Sequence, residues 1–224
     1  MNYQLLSYPL DIKDPGFPGE PTLTFESSTS IAEGDVYNSA IIHLFNHFGT
    51  HFDAPKHFNP NGLSISELPL STFIYEKPLL VDIPKAPGTL IEPEDLAPYL
   101  TQMQQADSLF IRTGLEQLRQ TDPQQYAANG GAVSIQAAKY LIDHVSHLKA
   151  IGFDFISLAS PANPGHGVEA HQVMLGMYKP AFICIIEDMK LSQVNSETLM
   201  RVLAMPLLVK GIDSAQVTVL AEER

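Results

Sequence analysis

The sequence predicts a mixed α/β domain spanning residues 1–224, and three observations support it. Short apolar runs outnumber helical patterns, the strongest helical pattern lies between two such runs, and no repeat or low-complexity linker divides the chain. In chain order, a short first strand leads into residues 9–21, which are rich in proline and glycine (Pro9, Pro15, Gly16, Pro18, Gly19, Pro21). A long irregular loop inside a compact domain is commonly a lid or a binding loop. Strands are expected over 39–45, 78–83, 108–112, 150–155, 181–186, 205–210 and 215–220. Each is rich in Ile, Val, Leu or Phe and bounded by turn residues or charge. Pro93 reads as the first-turn proline of a helix running to about Met103. Ser134 opens the clearest helix, with Ala137, Ala138, Leu141, Ile142, Val145 and Leu148 at helical spacing. Ser196, followed by Glu197, marks a third helix start. The order of strands in the sheet does not follow from these patterns.

Composition narrows the function. Apolar residues make up 45% of 224 residues, enough to bury a substantial core. The net charge of -12 offers no basic patch to displace counterions, which argues against nucleic acid and against an anionic membrane surface. An anionic small molecule remains compatible, because a bound divalent cation dominates its local field. With Cys184 as the one cysteine, no intrachain disulfide is possible, which fits a reducing compartment. No basic region followed by an apolar run stands at the N-terminus and no long apolar stretch follows, so the cytosol is the expected location.

Residues 47–57 carry the densest chemistry, reading His-Phe-Gly-Thr-His-Phe-Asp-Ala-Pro-Lys-His. His47, His51, Asp53 and His57 are the ligand types that zinc, manganese, iron or nickel take at open catalytic sites. Gly49 and Pro55 make one continuous helix unfavourable, so these groups are expected to converge from a strand end and a tight loop. In an extended backbone His51 and Asp53 share one face. A loop alone leaves a metal site incomplete. The best distant candidates are His171, after a small-residue segment, and Glu187, which ends an apolar strand pattern where a buried carboxylate needs a partner.

The segment resembles the H-x-G-T-H-x-D-x-P-x-H signature of the metal-dependent cyclase/hydrolase family, which includes arylformamidases and isatin hydrolases. Further matches follow in order: Ser7-Tyr-Pro-Leu, Phe17-Pro-Gly-Glu, Leu80-Val-Asp-Ile, Ile111-Arg-Thr-Gly, Ile151-Gly-Phe-Asp, Ala170-His, Ile186-Glu and Met205-Pro-Leu-Leu-Val-Lys-Gly. The resemblance implies an α/β domain with a β-barrel-like core in a homodimer or homotetramer. It carries the metal ligands onto His47, His51 and Asp53. His57, His171 and Glu187 match positions that complete a second metal site, or that supply acid/base groups when one metal binds. Phe17 stands where formamidases tend to have tryptophan and is expected to line the pocket or an interface.

The expected activity is hydrolysis of a small amide, formamide or cyclic amide by metal-activated water. Zn2+ is the expected ion and Mn2+ the alternative, one or two per subunit. His57 or Glu187 would handle the proton. A cyclase or lyase using the same ion is the runner-up, and a non-catalytic metal- or ligand-binding protein the alternative from another class. Simpler readings hold elsewhere. His43 is expected as a core or sheet histidine, His144 and His147 as surface groups on the helix, His166 as a solvated loop group, and Cys184 as a small hydrophobe. Asp154 reads equally as a turn carboxylate or as a partner of a ligand histidine, and Arg112 and Thr113 as structural or substrate-facing.

Overall fold

A computed structural model describes residues 2–224. In its first half run β1 (Asn2–Leu5), β2 (Leu23–Thr29), β3 (Ser39–Leu44), β4 (His51–Asp53), β5 (Ile74–Tyr75), β6 (Pro78–Asp82) and β7 (Leu90–Ile91). Then come α1 (Pro93–Leu96), α2 (Leu100–Met103), β8 (Ser108–Arg112), α3 (Glu116–Thr121), α4 (Pro123–Ala128) and β9 (Ala132–Val133). The chain closes with α5 (Ile135–Val145), β10 (Ala150–Phe153), α6 (Pro164–Met174), β11 (Cys184–Glu187), β12 (Leu199–Pro206) and β13 (Ser214–Glu223).

Nine strands make one mixed sheet in the order β5-β12-β13-β4-β11-β10-β8-β6, with β1 also paired to β13. Strands β6, β8, β10 and β11 run parallel, and the short β4 bridges antiparallel from β11 to β13. The β6 edge comes back against β12, so the sheet curls into a nearly closed barrel. Alternation along the strands then fills two cores. Leu109, Ile111, Ile151, Phe153 and Ile185 face outward to α5 and α6, meeting Ala138, Leu141, Val145 and Met174. Phe110, Cys184, Ile186, Phe52, Val202 and Val219 face the barrel interior with Phe73 and Tyr75. Gly152 points to the same interior, where an added Cβ would lie 2.3 Å from the Met189 sulfur, so the close packing of Phe110 and Met189 requires a glycine there.

Six of the seven strands bounded from the sequence lie near their expected positions, while β2, β5, β7 and β9 are unexpected, and the errors are informative. The helix expected from Pro93 to Met103 is split by the turn Ala97–Tyr99, because Pro98 has no backbone N–H to continue the ladder. No helix starts at Ser196. The Asn195 side chain accepts from Glu197 N at 3.0 Å and its carbonyl from Thr198 N, which closes a turn instead. The strand expected over 205–210 is Leu199–Pro206. Leu207, Leu208 and Val209 are apolar but exposed, because they carry the connection into β13, turning at Gly211 (φ 82°). Helices α3, α4 and α6 escaped the reading. Among the described residues no helix is long and apolar enough to cross a membrane.

Candidate metal centre

The chain reverses after β3, with Gly49 in the left-handed region (φ 67°), and enters β4. In the pleat of β4, His51 and Asp53 point to one side while Phe52 points into the barrel core. Pro55 then starts the short turn Pro55–His57, which brings His57 back beside His47 with ring centroids 4.1 Å apart. β11 pairs with β4 so that Glu187 lies opposite His51. The last turn of α6 presents His171. The structure therefore brings together all six candidate ligands: His47, His51, Asp53, His57, His171 and Glu187.

Orientation is fixed from behind. His51 Nδ1 donates to the Gly49 carbonyl at 2.8 Å and His171 Nδ1 to the Gly167 carbonyl at 2.8 Å, which leaves both Nε2 atoms facing the centre. Nε2 of His51 lies 3.1 Å from Glu187 Oε2 and 3.6 Å from Asp53 Oδ1. Glu187 is held by Leu158 N at 2.6 Å and Ser157 Oγ at 3.1 Å, both on Oε1. Phe58 stacks on the His171 ring at 4.5 Å. The residue that sequence reading missed is Asp213, just before β13. Its Oδ2 lies 3.0 Å from His47 Nε2 and 2.9 Å from His57 Nδ1, joining the two imidazoles from outside the centre.

The donor set fits a divalent cation. His51 Nε2 and both Asp53 oxygens are buried without a well-aligned hydrogen bond, although Glu187 Oε2 and His47 Nδ1 come within 3.1 Å of His51 Nε2 and Asp53 Oδ1 respectively, a costly state unless a further group satisfies them. Two triads, His47–Asp53–His57 and His51–Asp53–Glu187, each offer atoms within 4.8 Å of one another, and Asp53 belongs to both. Imidazole with carboxylate is a donor set suited to zinc or manganese.

Electrostatics point the same way. Burial raises the cost of charge on Glu187, yet His171 and His51 hold its carboxyl down to about 2. Burial likewise disfavours the charged His47 ring, but Asp213 and Asp53 outweigh it and push it up to about 10. Without a metal, protons take the cation's place. A raised folded pKa stabilises fully below the unfolded value and is lost as pH climbs through the folded one. The metal-free protein is thus expected to lose stability from about pH 6.5 to about pH 10 as His47 deprotonates. Metal loading is expected to oppose this trend, since ligand imidazoles must be neutral. Thermal melts of chelator-treated and metal-loaded protein across that range check the sign. Equal slopes in the two forms would place the metal elsewhere.

Other candidates resolve simply. Asp154 is the structural alternative: it accepts from Thr113 N, Thr113 Oγ1 and Gly114 N at 2.6–2.8 Å and touches no candidate ligand. Arg112 pairs with Asp82 and with the Leu191 and Val194 carbonyls, a structural clip. His43 lies exposed on the β2–β3 hairpin beside Glu26, a sheet histidine rather than a core one. His144 lies on α5, and Cys184 is buried in the barrel. His166 is in the first turn of α6 rather than in a free loop, where its Nδ1 accepts from Ile135 N.

The centre lies at the floor of a pocket of about 190 Å³ lined by Phe17, Glu20, Phe45, Phe58, Ile156 and Ser157, among others. A family model described as "Putative cyclase" matches residues 5–160, and the chain belongs to that family. The match includes the cluster at 47–57; His171, Glu187 and Asp213 lie beyond it. An uncharacterised protein of Haemophilus influenzae is 39% identical over 127 residues, covering 57% of this chain and 89% of its own length. A kynurenine formamidase of Sphingopyxis alaskensis is 27% identical over 218 residues, 97% of this chain and 96% of that protein. Isatin hydrolase A from Labrenzia aggregata, solved with benzyl benzoate, shares the fold with a TM-score of 0.81 at 20% identity, covering 98% of this chain and 93% of that one.

Proposed function

We propose that this protein is a metal-dependent hydrolase that cleaves the carbon–nitrogen bond of a small aryl or cyclic amide or formamide. The observation that carries the proposal is the pair of ligand triads sharing buried Asp53 beneath an aromatic-lined pocket. His47, His51, Asp53, His171 and Glu187 are proposed as ligands of Zn2+, with Mn2+ as the alternative. Were a second ion bound, His57 would join the ligands, and Asp53 and Glu187 would be the carboxylates able to serve both ions. The ion, when bound, supplies an acidified water and polarises the substrate carbonyl. The chain does the rest. Phe17, Phe45 and Phe58 flank an aryl ring and exclude water. Among the described residues no lysine or arginine lines the pocket, whose cationic-capable groups are the imidazoles of His47, His57 and His171. His57, with a side chain 21% exposed and Nδ1 tied to Asp213, turns Nε2 toward the centre and carries the proton from water to the departing nitrogen. Glu187 is the weaker proton carrier, because its oxygens already meet Leu158 N, Ser157 and His51.

The test is turnover of isatin and N-formylkynurenine by metal-loaded protein, with products identified. Isatin is the favoured substrate, given the absence of tryptophan at position 17. Ring opening with uptake of one water supports hydrolysis. Ring closure or elimination without it assigns the cyclase or lyase reading, and inactivity on a broad amide panel overturns the enzyme. Asp213→Ala is expected to lower turnover about 10–100-fold even at saturating metal, since Asp213 orients His57, and also to weaken metal affinity, since it holds the proposed ligand His47 from behind; kcat at full occupancy and a metal titration check the two effects.

A homodimer or homotetramer is proposed as well. The β2–β3 ribbon exposes Phe25, Ile41 and Ile42, and its tip exposes Ile31, Val36 and Tyr37. A two-stranded ribbon with both faces bare is marginal in water, so a second copy is expected to cover it. Light scattering should show an assembly that Ile42→Asp dissociates; a wild-type monomer at micromolar concentration overturns this. A cytosolic location fits the single buried Cys184.

A further inference from the structure

Behind the centre the chain buries a second charged cluster that the proposed chemistry does not use. Its middle is Arg119 on α3, whose side chain is 6% exposed. The guanidinium divides its donors. Nε and Nη2 go to Asp188 at 3.0 and 3.1 Å, Nη1 goes to Asp14 Oδ1 at 3.0 Å, and the flat face covers the Tyr8 ring at 3.8 Å. The Tyr126 hydroxyl donates to Asp188 at 2.6 Å.

Each arm leads to the pocket. Asp188 directly follows Glu187 and has φ 52°, the one non-glycine residue in the left-handed region among those described. The two carboxylates part here: Glu187 goes to the candidate centre and Asp188 to Arg119. The Asp188 carbonyl also accepts from Thr50 Oγ1 at 2.6 Å, beside His51. Such backbone persists only where surrounding contacts over-determine it. The other arm holds residues 8–14. Asp14 stands three residues before Phe17, and Tyr8 N donates to the same Thr50 hydroxyl at 3.0 Å.

We propose that Arg119 is a positioning residue with two separable effects: its Asp188 arm sets Glu187 for metal binding, and its Asp14 arm holds the Phe17 loop over the pocket. The inference rests on the proposed metal centre for its Zn2+ arm and on the hydrolase reading only for its kinetic arm. A merely structural ion pair would lower thermal stability without separating these effects.

The chain has no tryptophan, so Phe17→Trp installs a single fluorescent reporter on the loop. In that background Asp188→Asn is expected to weaken Zn2+ affinity about 10–100-fold, as for lost partners of metal ligands, with little change in tryptophan quenching by acrylamide. Asp14→Asn is expected to do the reverse: Zn2+ affinity unchanged, quenching at least about twofold faster, and KM raised with kcat near the parent value. Arg119→Met should show both effects. Arg119→Lys keeps the charge but loses the fork, so it should show the same pair more weakly, and it serves if the methionine variant does not fold. Unchanged metal affinity in Asp188→Asn, or unchanged quenching in Asp14→Asn, overturns the proposal. If no amide is hydrolysed, the function fails while calorimetric Zn2+ titration and fluorescence still decide this inference.

Discussion

Asp53→Asn is expected to leave the protein without its metal and without turnover. The Asp53 carboxylate is fully buried, its one near contact within ordinary hydrogen-bond distance is His47 Nδ1 at 3.1 Å, and it belongs to both candidate triads. Burial alone would favour its neutral form, but the surrounding imidazoles of His57, His51 and His47 keep it well below the usual carboxylate range. It therefore stands ionised at neutral pH with its negative charge directed at the centre. Asparagine keeps the shape and removes that charge and one donor oxygen. Metal affinity should fall by more than the roughly 10–100-fold typical of losing an outer partner. Metal at a hundred times its dissociation constant should stabilise the wild type by about 2.7 kcal/mol, and the variant by nothing measurable. Elemental analysis and melting curves with and without Zn2+ read both. Wild-type occupancy in Asp53→Asn would mean that the centre lies elsewhere.

His57→Ala should separate proton transfer from metal binding. An amine is a poor leaving group, and an acidified water cannot itself protonate it. Loss of the proton carrier should lower kcat about 10²–10⁴-fold at full metal content. Glu187→Gln should instead lose metal first. The measurement is isatin turnover beside elemental analysis for each variant. If His57→Ala loses its metal, His57 is a ligand rather than a carrier. If it keeps both metal and rate, the proton travels by another group.

How much of this was legible depends on where each residue's partners lie. His51 and Asp53 flank Phe52, and the alternation of an extended strand predicts that the first two share a face while the third goes to the core; they do. Glu187 ends an apolar strand, which is local information. His171 was identified by type but not by setting. Its helix contains Gly165 and Gly167, has little apolar periodicity, and so gives a weak helical signal. Asp213 was invisible for a different reason. It reaches His47 and His57 because β13 lies beside β4, with Ser214 opposite Asp53, and no pattern within either strand encodes that neighbour. A lone acid in Lys-Gly-Ile-Asp-Ser reads as a turn. The strand misplaced at 205–210 has the same cause: apolarity alone cannot tell a ladder from an exposed connection.

The pairing of β1 with β13 has a consequence for how the molecule comes into being. Asn2 faces Glu223 across one ladder, and β13 is also the support on which β4 rests. The sheet cannot be completed until β13 has joined, and the centre draws on residues from His47 to Asp213. A nascent chain stopped after β11 would hold the five proposed ligands and His57, but neither the strand that seats two of them nor the acid that orients His57. Such distant pairings slow folding, because loop closure precedes the contacts that repay it. Metal capture should accordingly follow the joining of β13, and divalent ions should select the closed barrel rather than template it.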